Sequence, residues 1–206
     1  MPPLSTHFRL ATAVLPLLGI VSHASSFVFG TTAPDAFDPD SEDSFSQYHF
    51  KDKDERISLE NFLRKTNFIL QPVDDLSWSF SCGYYCHLWL DVYFRDNTDC
   101  LPFRKPIRLS DADLRTLVRR ETEILNVPFV LNLGSLPVPK PEGFLLPLGL
   151  EFVDVGRCIH LFQEVIKQSQ AWSQFVPTFE AIDEVRYTTF FGDLSKIFMH
   201  EFQKAA

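Results

Sequence analysis

The feature that most constrains the fold is a run of alternating residues between Tyr85 and Phe94. Residues at even-numbered positions of this run are apolar, and those at odd-numbered positions are a mixture of aromatic and polar residues. Such alternation predicts a β-strand with one apolar face. The turn-forming residues Arg95–Thr98 follow, so the pattern predicts a hairpin. Its return arm contains Pro102 and Pro106 and would lie at a sheet edge, because proline cannot donate to a ladder.

The remaining segments add helices and short strands to this hairpin. Helical spacing of apolar residues predicts helices over 58–67, 111–125, 157–168 and 188–204. Short apolar segments between turn signals predict strands over 68–73, 76–80, 129–131 and 150–155. We therefore expect an α+β fold, with a small, mostly antiparallel sheet packed against several helices in a single domain.

The start of the chain is typical of a secretory signal peptide. No acidic residue precedes Asp35, Leu10–Val21 is almost wholly apolar, and Ser22-His23-Ala24 fits a small-x-small cleavage pattern. We expect cleavage near Ala24 and secretion, with an uncleaved anchor or a transit peptide as alternatives. The predicted organisation is a signal peptide over 1–24, an acidic flexible arm over 25–54 and the α+β domain over 55–206.

Charge and hydropathy limit the partners that we expect. The formal net charge is −8, and binding of nucleic acid would call for a basic stripe instead. Beyond the start of the chain, no stretch is long and apolar enough to predict a stable membrane span. The sequence therefore predicts a protein or a small apolar ligand as partner.

The chain has four cysteines, Cys82, Cys86, Cys100 and Cys158. An even number of cysteines after a signal peptide predicts two disulfides, and three pairings remain open. A zinc site formed by the first three cysteines and His87 is the alternative. We expect the disulfides, and accordingly no metal and no cofactor.

His87 and Asp91 are the candidate catalytic residues, and Trp89 and Tyr93 are candidate binding residues on the same predicted strand face. His87 would act as a base, with Asp91 fixing the imidazole. On a strand, residues four apart lie about 13 Å apart along the axis and could not touch. On a helix they would be neighbours.

The segment 82–90, CGYYCHLWL, resembles the nucleophile segment of the SUMO-deconjugating and adenovirus-type cysteine peptidases, in which Cys-Gly opens an apolar helix. The resemblance covers about nine residues and implies that Cys82 is a nucleophile. In that family a histidine, an acid and a Gln immediately before the cysteine precede the nucleophile. Here, after residue 24, His49 is the only histidine upstream of Cys82, and Gln71 lies far from it.

Two functions follow from these patterns. The first is a secreted, disulfide-stabilised, monomeric binding or effector-type protein without enzymatic activity, acting on a host or a neighbouring cell. The second is a small secreted hydrolase that uses His87 and nearby acidic residues. A deep polar pocket around His87 would favour the enzyme.

Overall fold

The computed structural model describes residues 2–19, 23–41, 43–68, 76–97, 102, 112–138, 146–175 and 178–205. These residues form eight α-helices: α1 (Leu4–Leu18), α2 (Ala24–Thr32), α3 (Ser44–Tyr48), α4 (Leu59–Lys65), α5 (Leu76–Asp96), α6 (Ala112–Leu133), α7 (Val155–Trp172) and α8 (Glu184–Ala205). A short 3₁₀ turn, Ala33–Asp35, follows α2. The described residues contain no sheet, and an isolated antiparallel bridge joins Lys51 to Ile57. The α+β prediction is therefore wrong, and the fold is all-helical.

Helix α5 is the centre of the fold and replaces the predicted first arm of the hairpin. All its residues from Trp78 to Asp91 are buried, so both parities of the alternating run face protein. A helix surrounded by other elements shows no polar face, and period two in such a sequence carries no information about a sheet. The strand predicted over 76–80 is the first turn of this helix. The predicted return arm lies almost wholly outside the described residues.

The predicted helices are present, most of them longer than expected. Ser58 caps α4 by accepting a hydrogen bond from the Asn61 amide at 3.2 Å, and Asp154 caps α7 through the Arg157 amide at 3.1 Å. Helix α6 continues through Pro128, so the strand predicted over 129–131 is wrong. Residues 150–154 form no strand either and lead into α7. Most of the strand predicted over 68–73 lies outside the described residues.

Helices α2 and α5 cross each other, and each helix has a glycine at the point of contact. Gly83 of α5 meets the backbone of α2 at Phe27 and Thr31, and Gly30 of α2 meets the backbone of α5 at Phe80. A Cβ at either position would overlap a carbonyl oxygen of the other helix. Because only glycine leaves that space, the two helices approach backbone to backbone. The crossing fixes the end of α2 and the 3₁₀ turn beside α5.

Helix α1 packs in the core. Phe8, Leu10, Ala11 and Val14 are fully buried, among residues of α6, α7 and α8. Arg9 donates to Thr188 Oγ1 at 3.0 Å and to the Leu125 carbonyl and Asn126 Oδ1 at 3.4 Å. Cleavage near Ala24, which stays a prediction together with the domain boundaries and the secreted location, would remove these contacts.

No helix within the described ranges combines the length and the apolar character needed to cross a membrane. The 25–54 range, predicted to be a flexible arm, contains most of α2, the 3₁₀ turn and α3. Phe27, Val28 and Tyr48 from this range are buried in the core. This range therefore contributes core residues to the described fold.

The predicted disulfides are wrong. Cys82, Cys86 and Cys158 are buried free thiols, and Cys100 lies outside the described residues. Burial raises the pKa of Cys82 well above its usual value, and it raises the pKa of Cys158 to about 12. Buried, protonated thiols are inert, so Cys82 is unsuited to act as the nucleophile that the peptidase resemblance implies. The prediction of a disulfide-stabilised binding or effector-type protein is therefore wrong as well.

Candidate metal centre

Three histidines and two aspartates meet beside α5. His87 and Asp91 lie one turn apart on α5, His7 comes from α1, Asp35 ends the 3₁₀ turn after α2, and His49 follows α3. Four of the five are buried, and Asp35 is partly exposed at the edge of the cluster. The fold thus brings together residues that lie up to 84 positions apart in the sequence.

Four side-chain atoms of this cluster form a closed ring in which nitrogen and oxygen alternate. His87 Nε2 lies 3.3 Å from Asp91 Oδ2, which lies 3.7 Å from His49 Nε2. Asp35 Oδ1 lies 3.8 Å from both imidazole nitrogens. Two sets of three residues in this cluster, one of Asp35, His49 and His87 and the other of His7, His87 and Asp91, each bring one ligand atom per residue within 4.8 Å of one another, which is close enough to hold a metal ion.

Backbone carbonyls orient two of the imidazoles. His87 Nδ1 lies 2.8 Å from the Thr31 carbonyl, and His49 Nδ1 lies 3.1 Å from the Phe45 carbonyl. Each carbonyl can only accept, so each Nδ1 carries the proton and Nε2 is turned toward the carboxylates. This is the outer hydrogen bond that metal-ligating histidines typically make.

The cluster is not satisfied by its own hydrogen bonds. Six buried atoms have no hydrogen-bond partner among the described residues: His7 Nδ1 and Nε2, His49 Nε2, His87 Nε2, and both carboxylate oxygens of Asp91. The ion-pair separations of 3.3–3.8 Å exceed the 2.7–2.9 Å or so of charge-assisted hydrogen bonds. Buried polar groups in native proteins nearly always have partners, and an ion or water is the usual explanation when protein atoms supply none.

Burial and mutual charge set the protonation of the cluster. Burial lowers the pKa of His7, and it lowers the pKa of His49 to about 4, with the charge of His87 adding to both effects. Burial also opposes charge on His87, but Asp35 and Asp91 outweigh it and raise the His87 pKa. The pKa of Asp91 is lowered in spite of its burial, because His7 and His87 stabilise the carboxylate. Of the three imidazoles, only His87 is therefore favoured in its charged form.

His7 lies behind the ring of four atoms. Its imidazole stacks on that of His87, with centroids 3.7 Å apart and planes 6° from parallel. Its Nε2 lies 3.4 Å from Asp91 Oδ1, the carboxylate oxygen that is outside the ring. His7 thus contacts both His87 and Asp91, and these three residues form the second set that could hold a metal ion.

The metal-free protein, prepared with a chelator, should lose stability as the pH falls from about 6.5 to about 4. His49 is neutral when folded and its pKa is about 4, against 6.5 for its unfolded value, so the unfolded chain binds more protons in this interval. The stability that neutral His49 contributes is complete above pH 6.5, and about 3 kcal/mol is lost on acidification. The lowered pKa of His7 also makes the folded state less stable as the pH falls. His87, whose pKa is raised, stabilises the folded state below pH 6.5, and this stabilisation is lost as the pH rises.

Urea denaturation at several pH values measures this effect. His49→Gln should flatten the dependence between pH 4 and 6.5, and His160→Gln, on the exposed side of α7, should leave it unchanged. An unchanged slope in His49→Gln would contradict the assigned burial of this imidazole.

The structure brings two of the predicted site residues together and separates the other two from them. His87 and Asp91 contact each other across one helical turn. Trp89 and Tyr93 stack on each other on another face of α5, where Trp89 Nε1 donates to Glu201 Oε2 at 2.6 Å. These two aromatic residues pack against α8, with Trp89 edge-on to Phe198, and lie away from the His–Asp ring. They support the helix and do not line the candidate centre.

Sequence reasoning missed His7, Asp35 and His49. The sequence pattern places His7 in the predicted signal peptide and the other two in the predicted acidic arm. The available signal was the spacing of His87 and Asp91, which places both side chains on one face if the segment is a helix. No family model, curated protein or solved structure matches this chain.

Proposed function

We propose that this protein binds one divalent transition-metal ion between His49, His87, Asp35 and Asp91. The observation that carries the proposal is the ring of two imidazole nitrogens and two carboxylate oxygens, 3.3–3.8 Å apart, in a cluster where six buried polar atoms make no hydrogen bond among the described residues. The expectation of a metal-free protein, which followed from the disulfide hypothesis, is replaced by this proposal.

The donor set restricts the ion. Two neutral imidazoles and two carboxylates suit Zn²⁺, Fe²⁺, Mn²⁺ or Co²⁺, whereas Ca²⁺ and Mg²⁺ prefer oxygen donors alone. A divalent ion would neutralise the two aspartates, and it would replace the proton that a raised pKa holds on His87. Such neutralisation matters because an uncompensated buried charge is costly.

The experiment is a metal titration of chelator-treated protein by isothermal titration calorimetry, with Zn²⁺ first and Mn²⁺ second. We expect one ion per chain, and at a free ion concentration of a hundred times Kd the folded state should gain about 2.7 kcal/mol. Absence of binding by either ion would refute the proposal. Undiminished binding by the His49→Ala/His87→Ala double variant would refute it as well.

A second candidate function is metal-dependent catalysis. Structural metal sites are closed by four protein ligands, whereas catalytic sites use three and keep one position open, so catalysis would require that one of the four proposed ligands leave the ion. The observation that favours catalysis is the position of Asp35, which belongs both to the ring and to the wall of a cavity of about 370 Å³. A ligand in this cavity would lie against one of the proposed metal ligands.

A further inference from the structure

Asp35 differs from the other three proposed ligands in how it is held. Its side chain is 21% exposed, whereas those of His49, His87 and Asp91 are fully buried. Backbone carbonyls orient both imidazoles, and Asp91 contacts every histidine of the cluster. Within the described part of the chain, no hydrogen bond holds the Asp35 carboxylate, which lies 3.8 Å from each imidazole nitrogen of the ring. Of the four, Asp35 is therefore the ligand that would leave an ion most easily.

A cavity of about 370 Å³ adjoins the position that Asp35 would leave. It lies between the start of α1, the turn after α2 and the facing sides of α6 and α7, and Asp35 is part of its wall. Its volume falls within the range of small-molecule sites, about 300–1,000 Å³. We propose that Asp35 is an exchangeable ligand of the ion, and that a small carboxylate-bearing molecule in this cavity takes its place. The inference rests on the proposed function, because the exchange requires a bound ion.

The exchange conserves charge at the centre. The bond between the ion and an Asp35 oxygen breaks, and a bond between the ion and one oxygen of the incoming carboxylate forms, with no proton or electron transferred. A divalent ion that is held by neutral His49, neutral His87 and the Asp91 carboxylate keeps one uncompensated positive charge, which favours an anion over a neutral molecule in the fourth position. Three protein ligands and one exchangeable position are the arrangement of catalytic zinc sites.

The charges of the lining allow a carboxylate to enter. Among the described residues that line the cavity, the other acid is Glu123, whose Oε1 is paired with Arg119 Nε at 3.2 Å. Its Oε2 accepts a hydrogen bond from Gln168 at 3.1 Å. The charge of Glu123 is thus already compensated by a cation and an amide. Asp35 lies at the exposed edge of the cluster, so water can solvate its carboxylate once it is released.

Acetate and acetamide, which share a shape and differ in charge, test the exchange in Co²⁺-loaded protein. Co²⁺ suits the same donor set, and its visible absorption changes when one ligand replaces another. We expect acetate to change the spectrum of the parent protein and acetamide to leave it unchanged. Asp35→Ala should still bind Co²⁺ through the three remaining ligands. It should bind acetate about tenfold tighter or more than the parent protein does, because acetate no longer competes with a tethered carboxylate.

The control for this comparison is Asp193→Ala, which removes an exposed acid of α8 and should bind acetate as the parent protein does. Two results would overturn the exchange. One is an unchanged spectrum of the parent protein at acetate concentrations that saturate Asp35→Ala, which would make Asp35 a fixed ligand. The other is loss of Co²⁺ binding in Asp35→Ala, which would show that the three remaining ligands cannot hold the ion.

The length of the incoming molecule tests its location. Leu161 and Val165 line the cavity, so Val165→Phe should weaken the binding of hexanoate to the Co²⁺-loaded protein about tenfold or more, the value of about two buried CH₂ groups. The same variant should bind formate as the parent protein does. Val185→Phe, the same change at a site that is 75% exposed on α8, should affect neither acid. An unchanged affinity for hexanoate in Val165→Phe would overturn the assignment to this cavity.

The two proposals can fail separately. Co²⁺ binding by the parent protein without an effect of acetate would overturn this inference alone. Failure of the parent protein to bind Zn²⁺, Mn²⁺ or Co²⁺ would overturn the proposed function, and the exchange with it.

Discussion

Gly83→Ala should destabilise the protein by about 3 kcal/mol or more, whereas Gly192→Ala should stabilise it by about 0.5–1 kcal/mol. Both glycines lie inside long helices, so both substitutions gain the same helix propensity. They differ in what the new methyl group meets. At Gly83 it would overlap the Phe27 carbonyl oxygen and lie 2.8 Å from the Thr31 amide nitrogen, whereas at Gly192 nothing lies within 4 Å.

Urea denaturation of the two variants beside the parent protein measures this pair. The new methyl group in Gly83→Ala would meet backbone atoms of α2, which cannot move aside in the way that a flexible side chain can. The two helices must therefore separate in this variant. Separation would also move the Thr31 carbonyl that orients His87, so the same variant should bind metal more weakly. If Gly83→Ala proves as stable as Gly192→Ala, the crossing of α2 and α5 is wrong.

The same crossing explains how far the sequence could predict the fold. The helical spacing of apolar residues located helices α4, α6, α7 and α8, and Ser58 was also recognised as the cap of α4. Helix α5 is buried on nearly every side over 78–91, so its sequence has no polar face to reveal a period. Its length was the better signal, because an uninterrupted run of 21 residues exceeds the usual length of a strand.

The candidate centre was predictable only in part, for the same physical reason. His87 and Asp91 were singled out for their chemistry, but an assumed strand kept them too far apart to touch. Their partners come from α1, the turn after α2 and the end of α3, and only tertiary packing places these segments beside α5. The start of the chain has no acidic residue before Asp35, a pattern that predicts a signal peptide. In the structure this part of the chain forms helix α1, which is buried in the core.

Asp91→Ala should abolish metal binding within the range that calorimetry can measure, a loss of about 10³-fold or more in affinity. Asp91 is the residue that contacts every histidine of the cluster. Its Oδ2 lies 3.3 Å and 3.7 Å from the Nε2 atoms of His87 and His49, and its Oδ1 lies 3.4 Å from Nε2 of His7. Alanine removes a proposed ligand atom, the charge that balances the ion, and the group that His7 holds.

The comparison with Asp91→Asn separates these contributions. Asparagine keeps the shape and one carbonyl oxygen but carries no charge, so it should retain weak binding, below the parent protein and above Asp91→Ala. Asp193→Ala, an acid lost from an exposed position on α8 where it pairs with Lys196, should bind metal as the parent protein does. The readout is the ion content of each variant after dialysis against limiting Zn²⁺, together with the calorimetric Kd.

The metal-free forms of the same variants give an independent test, because removal of the carboxylate should act on the histidines as well. The charge of Asp91 helps to raise the pKa of His87, so without it His87 should lose its proton at lower pH. NMR titration of the imidazole protons should show this downward shift in both Asp91→Ala and Asp91→Asn, and not in Asp193→Ala. If Asp91→Ala bound Zn²⁺ as tightly as the parent protein, the ion would not bind at the proposed centre. A lower His87 pKa in that variant would not change this conclusion, because the pKa shift requires only that His87 and Asp91 be neighbours.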